Sequence, residues 1–411
     1  MAKGKAPASD WQPFSALLDA VVETPKRDWR EHVPQSDWTE SKVRKASLTH
    51  CHQEFEQKVA AQRLSNAATA LHKTDENPDS VASSAGFDGV HQLDAAMLAT
   101  YGVDTQGWRN ARGAQTLTLT LPANFRLEET LAYIGRDPQS PIQRRTGETT
   151  FSVAVPVGKS TIRVDAEVGA RHLNAQLICR GRRSDGAGTS AIRALGNLLG
   201  LGSDTTAFEA RGSAEPNIGR LTSQRPGLRV SRTIAPFDAI VWSIIGQQIS
   251  LPFAYQLLRE LTKLVGSKAP GGMLSIPRPE QVASLEEAPL TARKFSRAKV
   301  SYLLDVARLC ADGTLDLHAL QNGSAVEAFK RLLAVRGLGP WSVNYIMMRA
   351  LGFADCAPIG DAGLRRALGR FFVVESPMTD AEMAEAMEHF APHRSLATFH
   401  LWRSFDKALE S

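Results

Sequence analysis

Val335-Arg-Gly-Leu-Gly-Pro-Trp-Ser-Val-Asn-Tyr345 is the stretch on which the reading of this 411-residue chain turns. Apolar-periodic runs flank it, Ala325–Val335 before and Trp341–Leu351 after. The spacing predicts two helices joined by a tight turn. Gly337 and Gly339 stand two apart, just ahead of the second helix. Glycines let the backbone turn sharply and aim successive N–H groups at one point, and the N-terminus of the next helix adds its positive end. Such a nest suits a phosphate oxygen. The bland alternative is an ordinary Gly-rich helix turn.

Working outward, Asp361 lies in Ala357-Pro-Ile-Gly-Asp-Ala-Gly-Leu-Arg-Arg-Ala-Leu368. An Asp directly ahead of a helical run is the usual helix N-cap, so that role competes with a chemical one. Asp355 is a rival carboxylate six residues earlier. Trp341, Tyr345 and Trp402, taken singly, each read as core packing. On either side the helical pattern continues through Phe237–Ile245, Pro252–Val265, Ala298–Cys310, Gly363–Phe371, Asp380–Phe390 and Ser395–Leu409. Residues 217–407 are therefore expected to be an all-α domain, with a Gly- and Pro-containing loop at Gly266–Pro279.

Before Pro216 the period changes. Leu117-Thr-Leu-Thr-Leu121, Phe151–Val157, Thr161–Val168 and His172–Cys179 alternate with period two and read as strands. Arg126–Ile134 and Thr189–Leu199 read as helices. Residues 116–212 thus form a small α+β domain with an antiparallel sheet. Residues 1–110 read as helical again, broken by the polar loop Lys73–Ser80, with 1–26 as an N-terminal segment and 27–110 as a module. The fold class is α+β multidomain.

Composition excludes several classes. With 43% apolar and 22% charged residues the chain can bury cores. No apolar run approaches the ~18 residues of a membrane span, and the first residues contain no secretory apolar region. Cys51, Cys179, Cys310 and Cys356 form no CxxC, which argues against a disulfide scaffold or a four-Cys cluster and fits a reducing cytoplasm. The net charge of +5 is unevenly placed. Residues 1–110 hold 12 Lys+Arg and 15 Asp+Glu, whereas residues 111–411 hold 36 and 28. The later part is the better candidate to meet a polyanion.

Taken in order, these features resemble the helix-hairpin-helix DNA glycosylases, and among them the AlkA-type 3-methyladenine DNA glycosylases II. The similar segments are Arg225-Pro-Gly-Leu-Arg229, Ile244-Ile-Gly-Gln-Gln-Ile-Ser250, the Gly337–Tyr345 hairpin, Pro358–Arg366 and His393–Trp402. The resemblance covers residues 116–407, with the α+β domain matching more loosely. It implies that the amides of Gly337 and Gly339 hold a DNA phosphate and that Asp361 is the essential carboxylate. Trp341, Tyr345 and Trp402 correspond to aromatics of the base pocket. Gln248 matches the segment that enters the gap left by a flipped base, where relatives also carry an apolar wedge. In relatives the hairpin carbonyls, here Val335 and Leu338, hold a monovalent cation; no cofactor is otherwise required.

The chemistry fits those residue types. Cleaving an N-glycosidic bond builds positive charge on the sugar, which a fixed carboxylate stabilises. N-alkylated purines are cationic and stack on indole and phenol faces. Trp341 stands where lyase-coupled members of this superfamily carry a Lys nucleophile, so a monofunctional enzyme is expected. The implied partner is double-stranded DNA with alkylated bases, 3-methyladenine and 7-methylguanine among them. The expected protein is a monomer in the cytoplasm at the nucleoid, with no membrane partner.

Ser80–Gly102 resembles the second helix-turn-helix of AraC-type regulators. Trp38–Lys45 is placed as the recognition helix of the first, with Glu54–Leu71 connecting the two. The segment departs from a DNA-binding pattern, because Asp88–Tyr101 has no Lys or Arg and contains two Asp. Two further readings stand beside the main one: a DNA-binding regulator or damage sensor with an inactive glycosylase half, and a glycosylase for oxidised or deaminated bases.

Overall fold

Alternation dictates the sheet. In β1 (Thr116–Thr120) Leu117 and Leu119 point inward and the threonines outward. β1 pairs with β5 (His172–Ile178), β5 with β4 (Ser160–Val168), β4 with β3 (Thr150–Val157) and β3 with β2 (Gln143–Arg145), all antiparallel. Gly158, at φ +55°, turns β3 into β4. The computed structural model describes residues 10–25, 27–181 and 184–404, so the end of the helix expected over Ser395–Leu409 lies outside the described residues. β2 was not anticipated. Its three polar residues show no alternation, and its pairing is set by the edge of β3.

Both faces of β3 are covered. The helix Ala187–Leu199 buries Ile192, Leu195 and Leu199 in the same core as Val153 and Val155. On the other face Ala154 meets Ala269 and Met273 of the Gly266–Pro279 loop. That loop, legible only as a break between helices, covers the sheet.

The main core of the sheet does not stop at β1. It continues into the helices Phe55–Lys73, Pro78–Ser84, Val90–Tyr101 and Thr105–Asn110 through Leu71, Val81, Leu93, Met97 and Trp108. The fully buried Trp108 donates its indole N–H to the Ala68 carbonyl at 2.9 Å. A smaller core joins Phe14, Leu18, Val43 and Phe55. It belongs to the helices Trp11–Glu23 and Glu40–Cys51 and the start of Phe55–Lys73. A third and largest core fills the helical region from Phe208 to Leu401.

Charged latches fix the α+β unit against that helical region. Glu129 accepts from Arg225 and from the buried Arg403, both at 2.7 Å, and Asp137 pairs with Arg259 at 2.5 Å. Removing one partner from a buried pair strands the other charge and costs about 3–5 kcal/mol. These latches hold the Leu127–Ile134 helix over the opening of the helical region, where its Tyr133 reaches the site described below.

The first helices dock on the helical region too. His50 Nδ1 lies 2.8 Å from Ser324 Oγ, the Asp355 amide donates to His52 Nδ1 at 3.2 Å, and Lys58 Nζ donates to the Asn322 carbonyl. Burial pushes the His52 imidazole down to about 4 and lowers His50 as well. Both rings are therefore neutral partners at this contact near neutral pH.

Candidate active site

The hairpin between the helices Ala325–Leu333 and Pro340–Ile346 is the turn its glycines suggest. Gly337 sits at φ +92°, and a Cβ there would lie 2.3 Å from the Tyr302 ring. Both the backbone angle and the close approach demand glycine. Gly339, extended and exposed, caps the second helix without a side chain. Among the described residues neither the Gly337 nor the Gly339 amide has an acceptor. Two free N–H groups at a helix start form a ready anion site. The Val335 carbonyl accepts the Leu338 amide at 3.1 Å, which leaves that oxygen a second lone pair.

Asp361 is the N-cap of the helix Ala362–Phe372, and it does more than cap. Oδ1 accepts from the Leu364 amide at 2.7 Å and from Trp402 Nε1 at 3.0 Å; Oδ2 accepts from Trp341 Nε1 at 3.1 Å. The N-cap and the chemical reading are thus compatible: one backbone bond and two indole donors fix the carboxylate in place. Gly360, at φ +92°, makes the turn that delivers it. The rival Asp355 is held elsewhere, paired with Arg394 at 2.7 Å and with its backbone donating to His52.

Trp341, Tyr345 and Trp402 come together. Trp341 stacks on Tyr345 with ring centres 5.8 Å apart and planes 25° apart, and Tyr345 lies 6.3 Å from Trp402. All three line a cavity of about 1310 Å³, as does Asp361. Burial pushes the Tyr345 phenol up, so it stays neutral. The cavity lies between the helical region and the α+β unit, which contributes Tyr133 and Arg136. Arg366, exposed and without a carboxylate partner among the described residues, stands at this cavity as well.

Gln248 lies at the cavity in the left-handed region, at φ +55°, and is exposed. A non-glycine residue there is uncommon and needs support from its neighbours. Two side chains supply it. Gln247 donates to the Gly337 carbonyl at 2.8 Å and to Ser342 Oγ at 3.2 Å, tying this loop to the hairpin. The buried Lys299 donates to the carbonyls of Ile245 at 2.6 Å and Gln247 at 2.8 Å. Sequence reasoning missed Lys299 and Gln247, whose role is visible only once the helix Arg297–Ala311 is placed beside the loop.

It also missed Tyr133 and Arg349. Arg349 follows Tyr345 by one turn, in a widened π-helical turn, Met347–Leu351, that continues the hairpin's second helix. Its guanidinium lies 4.7 Å from the Tyr133 ring centre and 5.7 Å from that of Tyr345. Burial alone would raise the Tyr133 phenol, but the Arg349 and Arg136 charges beside it outweigh burial and lower it. A lone Arg inside Ile346-Met-Met-Arg-Ala-Leu351 was the available signal.

Residues 241–393 match the model of the HhH-GPD superfamily base excision DNA repair protein. A DNA-3-methyladenine glycosylase of Bacillus subtilis is 27% identical over 292 residues, covering 70% of this chain and 96% of its own. A second B. subtilis protein, YfjP, provisionally named a DNA-3-methyladenine glycosylase, is 30% identical over 194 residues, covering 47% of this chain and 67% of its own. A Mycobacterium tuberculosis protein provisionally named a bifunctional transcriptional activator/DNA repair enzyme AlkA is 27% identical over 362 residues, covering 84% of this chain and 70% of its own. The hairpin and the carboxylate fixed by two indoles lie within the segment that carries these matches, and the chain belongs to the HhH-GPD superfamily of base excision DNA repair proteins.

Proposed function

We propose that the protein is a monofunctional DNA glycosylase that excises alkylated bases, of the 3-methyladenine and 7-methylguanine class, from double-stranded DNA. The observation that carries this reading is Asp361, held by Leu364, Trp341 and Trp402 on the wall of an aromatic cavity. The target base leaves the duplex, at a cost of a few kcal/mol that is smallest for damaged bases. It enters between Trp341, Tyr345 and Trp402, whose ring faces favour an electron-poor or cationic base. The bond from C1′ to the base nitrogen breaks, and the electron pair leaves with the base. Asp361 stabilises the positive charge that develops on the sugar and orients the water that adds to it. Gln248 enters the gap left in the duplex.

Gly337 and Gly339 hold a DNA phosphate through their amides. The carbonyls of Val335 and Leu338 would hold a monovalent cation, which would add positive charge beside that phosphate. No cofactor takes part in the chemistry. Trp341 occupies the place of the lyase nucleophile, so the strand is left uncut. The enzyme acts as a monomer in the cytoplasm, at the nucleoid.

The N-terminal helices form a helix-turn-helix-like module of AraC type that docks instead of reading an operator. A second reading, a regulator or damage sensor, is favoured by one observation: the M. tuberculosis relative bears a bifunctional name and aligns over most of this chain. Purified protein on methylated duplex should generate abasic sites without nicks. Operator binding through residues 27–110 with no abasic sites would favour the regulator instead.

A further inference from the structure

One helix, Arg297–Ala311, touches two parts of the site at once. Lys299, in its first turn, is buried, and among the described residues no carboxylate pairs with it. Burying an ammonium group without an opposite charge is unfavourable unless hydrogen bonds compensate it. Lys299 directs its donors at the carbonyls of Ile245 at 2.6 Å and Gln247 at 2.8 Å. Ile245 ends the helix Pro236–Ile245, whose final carbonyls have no partner inside the helix and carry its negative end. Among the described residues no backbone amide reaches either carbonyl. The Lys299 ammonium thus replaces the missing donors. One turn along the same face, Tyr302 packs its ring against Gly337 of the hairpin, so closely that a Cβ there would lie 2.3 Å from the ring.

The loop after Ile245 is held on both sides of Gln248. Gln247 donates through Nε2 to the Gly337 carbonyl at 2.8 Å and to Ser342 Oγ at 3.2 Å. Ile249 packs on the largest core. Between them Gln248 is exposed, at φ +55°, and its side chain makes no hydrogen bond among the described residues. A non-glycine residue keeps that backbone angle only where its surroundings impose it. Here they do. The Gln247 carbonyl belongs to the peptide that enters Gln248, so the Lys299 ammonium fixes the plane from which Gln248 projects. Loop, hairpin and helix close a triangle: Gln247 joins loop to hairpin, Tyr302 seats the hairpin on the helix, and Lys299 joins helix to loop.

Resting on the glycosylase reading above, we propose that Lys299 and Gln247 are positioning residues for extruding the target base, holding Gln248 at a fixed reach from the phosphate-binding hairpin. Extrusion needs two actions together. The backbone is gripped at a phosphate, here by the Gly337 and Gly339 amides, and the vacated space in the stack is filled, here by Gln248. A filler that drifts relative to the grip leaves the gap partly empty, and the base falls back before it is cleaved. The triangle prevents that drift, because Gln248 cannot retreat without breaking bonds to Lys299 or Gly337. Neither Lys299 nor Gln247 is a hydrogen-bond partner of Asp361, which is held by Leu364, Trp341 and Trp402. Cleavage of a base already seated therefore proceeds without them. Their contribution is greatest for a well-paired lesion, the costliest to extrude, and smallest for a mispaired one.

The test follows 7-methylguanine release from two duplexes, one with cytosine and one with thymine opposite the lesion. Lys299→Met should lower kcat/KM on the paired duplex about 10–100-fold, as for a displacement of about an ångström, and less than about 5-fold on the mispaired one. Lys299→Arg should restore most of the loss, and Gln248→Ala should show the same dependence on pairing. A second readout isolates extrusion. With Asp361→Asn present to leave the base uncleaved, 2-aminopurine beside the lesion should brighten at saturating protein, and it should stay dim when Lys299→Met is added. Equal losses on both duplexes, or an undiminished 2-aminopurine signal, would overturn the proposal and leave the glycosylase reading standing. Full activity of Gln248→Ala on the paired duplex would do the same, since nothing would then need positioning. Wild type inactive on both duplexes defeats the glycosylase reading, and this inference with it. If Lys299→Met does not fold, Gln247→Ala decides: a loss confined to the paired duplex supports the proposal, and a uniform loss or none overturns it.

Discussion

Two helical regions of this molecule carry outlines associated with DNA, and they use their charges in opposite ways. In the N-terminal region the best recognition-helix candidate, Glu40–Cys51, has Arg44 paired with Glu56 at 2.9 Å and His50 against Ser324. Arg30 is shared among Asp28, Glu40 and Glu56. The second candidate, Val90–Tyr101, carries no Lys or Arg. In the hairpin region Arg366 lines the cavity without a carboxylate partner among the described residues, where the Gly337 and Gly339 amides are likewise unclaimed. A helical outline alone does not distinguish the two regions; they differ in how many of their described donors are already satisfied within the fold.

Breaking the hairpin should have the largest effect. Gly337→Val asks a β-branched side chain to adopt φ +92° and to occupy the Tyr302 ring. Displacing the phosphate amides by about an ångström should cost ~100-fold or more in excision. Near-normal activity in that variant would remove the hairpin from the DNA interface. Trp341→Leu removes the donor to Asp361 Oδ2 and one wall of the base stack. We expect a ~10–100-fold loss of release, with duplex affinity nearly unchanged.

Charge reversal sharpens the contrast between the two regions. Arg366→Glu should weaken duplex binding about 10-fold and reduce the salt slope by about one. Lys42→Glu with Lys45→Glu, both exposed on the N-terminal helix, should change it less than ~2-fold. The reverse ranking in a fluorescence-anisotropy titration over salt would return the N-terminal module to the DNA.

Two pH effects are smaller. Burial pushes Asp238 up to about 7, above its ordinary value of 3.8. A raised acid takes up a proton on folding, so its contribution is most favourable at low pH and declines as pH rises from about 4 to about 7. Asp238→Asn should accordingly melt a few degrees higher than wild type at pH 8, with the gap closing towards pH 4. His52 behaves oppositely in sign. Its folded value near 4 lies below the ordinary 6.5, so docking is fully supported above 6.5 and weakens as pH falls towards 4. Hydrogen exchange across Glu40–Cys51, taken relative to the intrinsic exchange rate at each pH, should rise between pH 7 and pH 5 in wild type and rise less in His52→Gln, where only His50 still titrates at the contact.

Much of the candidate site was legible because it lies in short stretches with strong constraints. Two glycines before a helix, an Asp ahead of another helix, and three aromatics can all be read one residue at a time. The N-cap role of Asp361 had looked like an alternative to chemistry; the structure uses the same bond to Leu364 to hold the carboxylate against Trp341 and Trp402. What escaped depends on distant pairings. Tyr133 reaches the cavity only because Glu129 and Asp137 latch its helix onto Arg225, Arg403 and Arg259. Lys299 is one Lys among many until its Nζ is seen between two carbonyls. β2, and the packing of the Gly266–Pro279 loop on the sheet, failed to register for the same reason, since neither has a local pattern and both depend on β3.

The central claim is that the carboxylate of Asp361 drives base release from the aromatic cavity. Mass spectrometry of the bases freed from methylated duplex by wild type and by Asp361→Asn tests it most directly. The account predicts that wild type frees 3-methyladenine and 7-methylguanine, while Asp361→Asn binds the duplex with similar affinity and releases at least about 100-fold less. Wild-type levels of release from Asp361→Asn would contradict it.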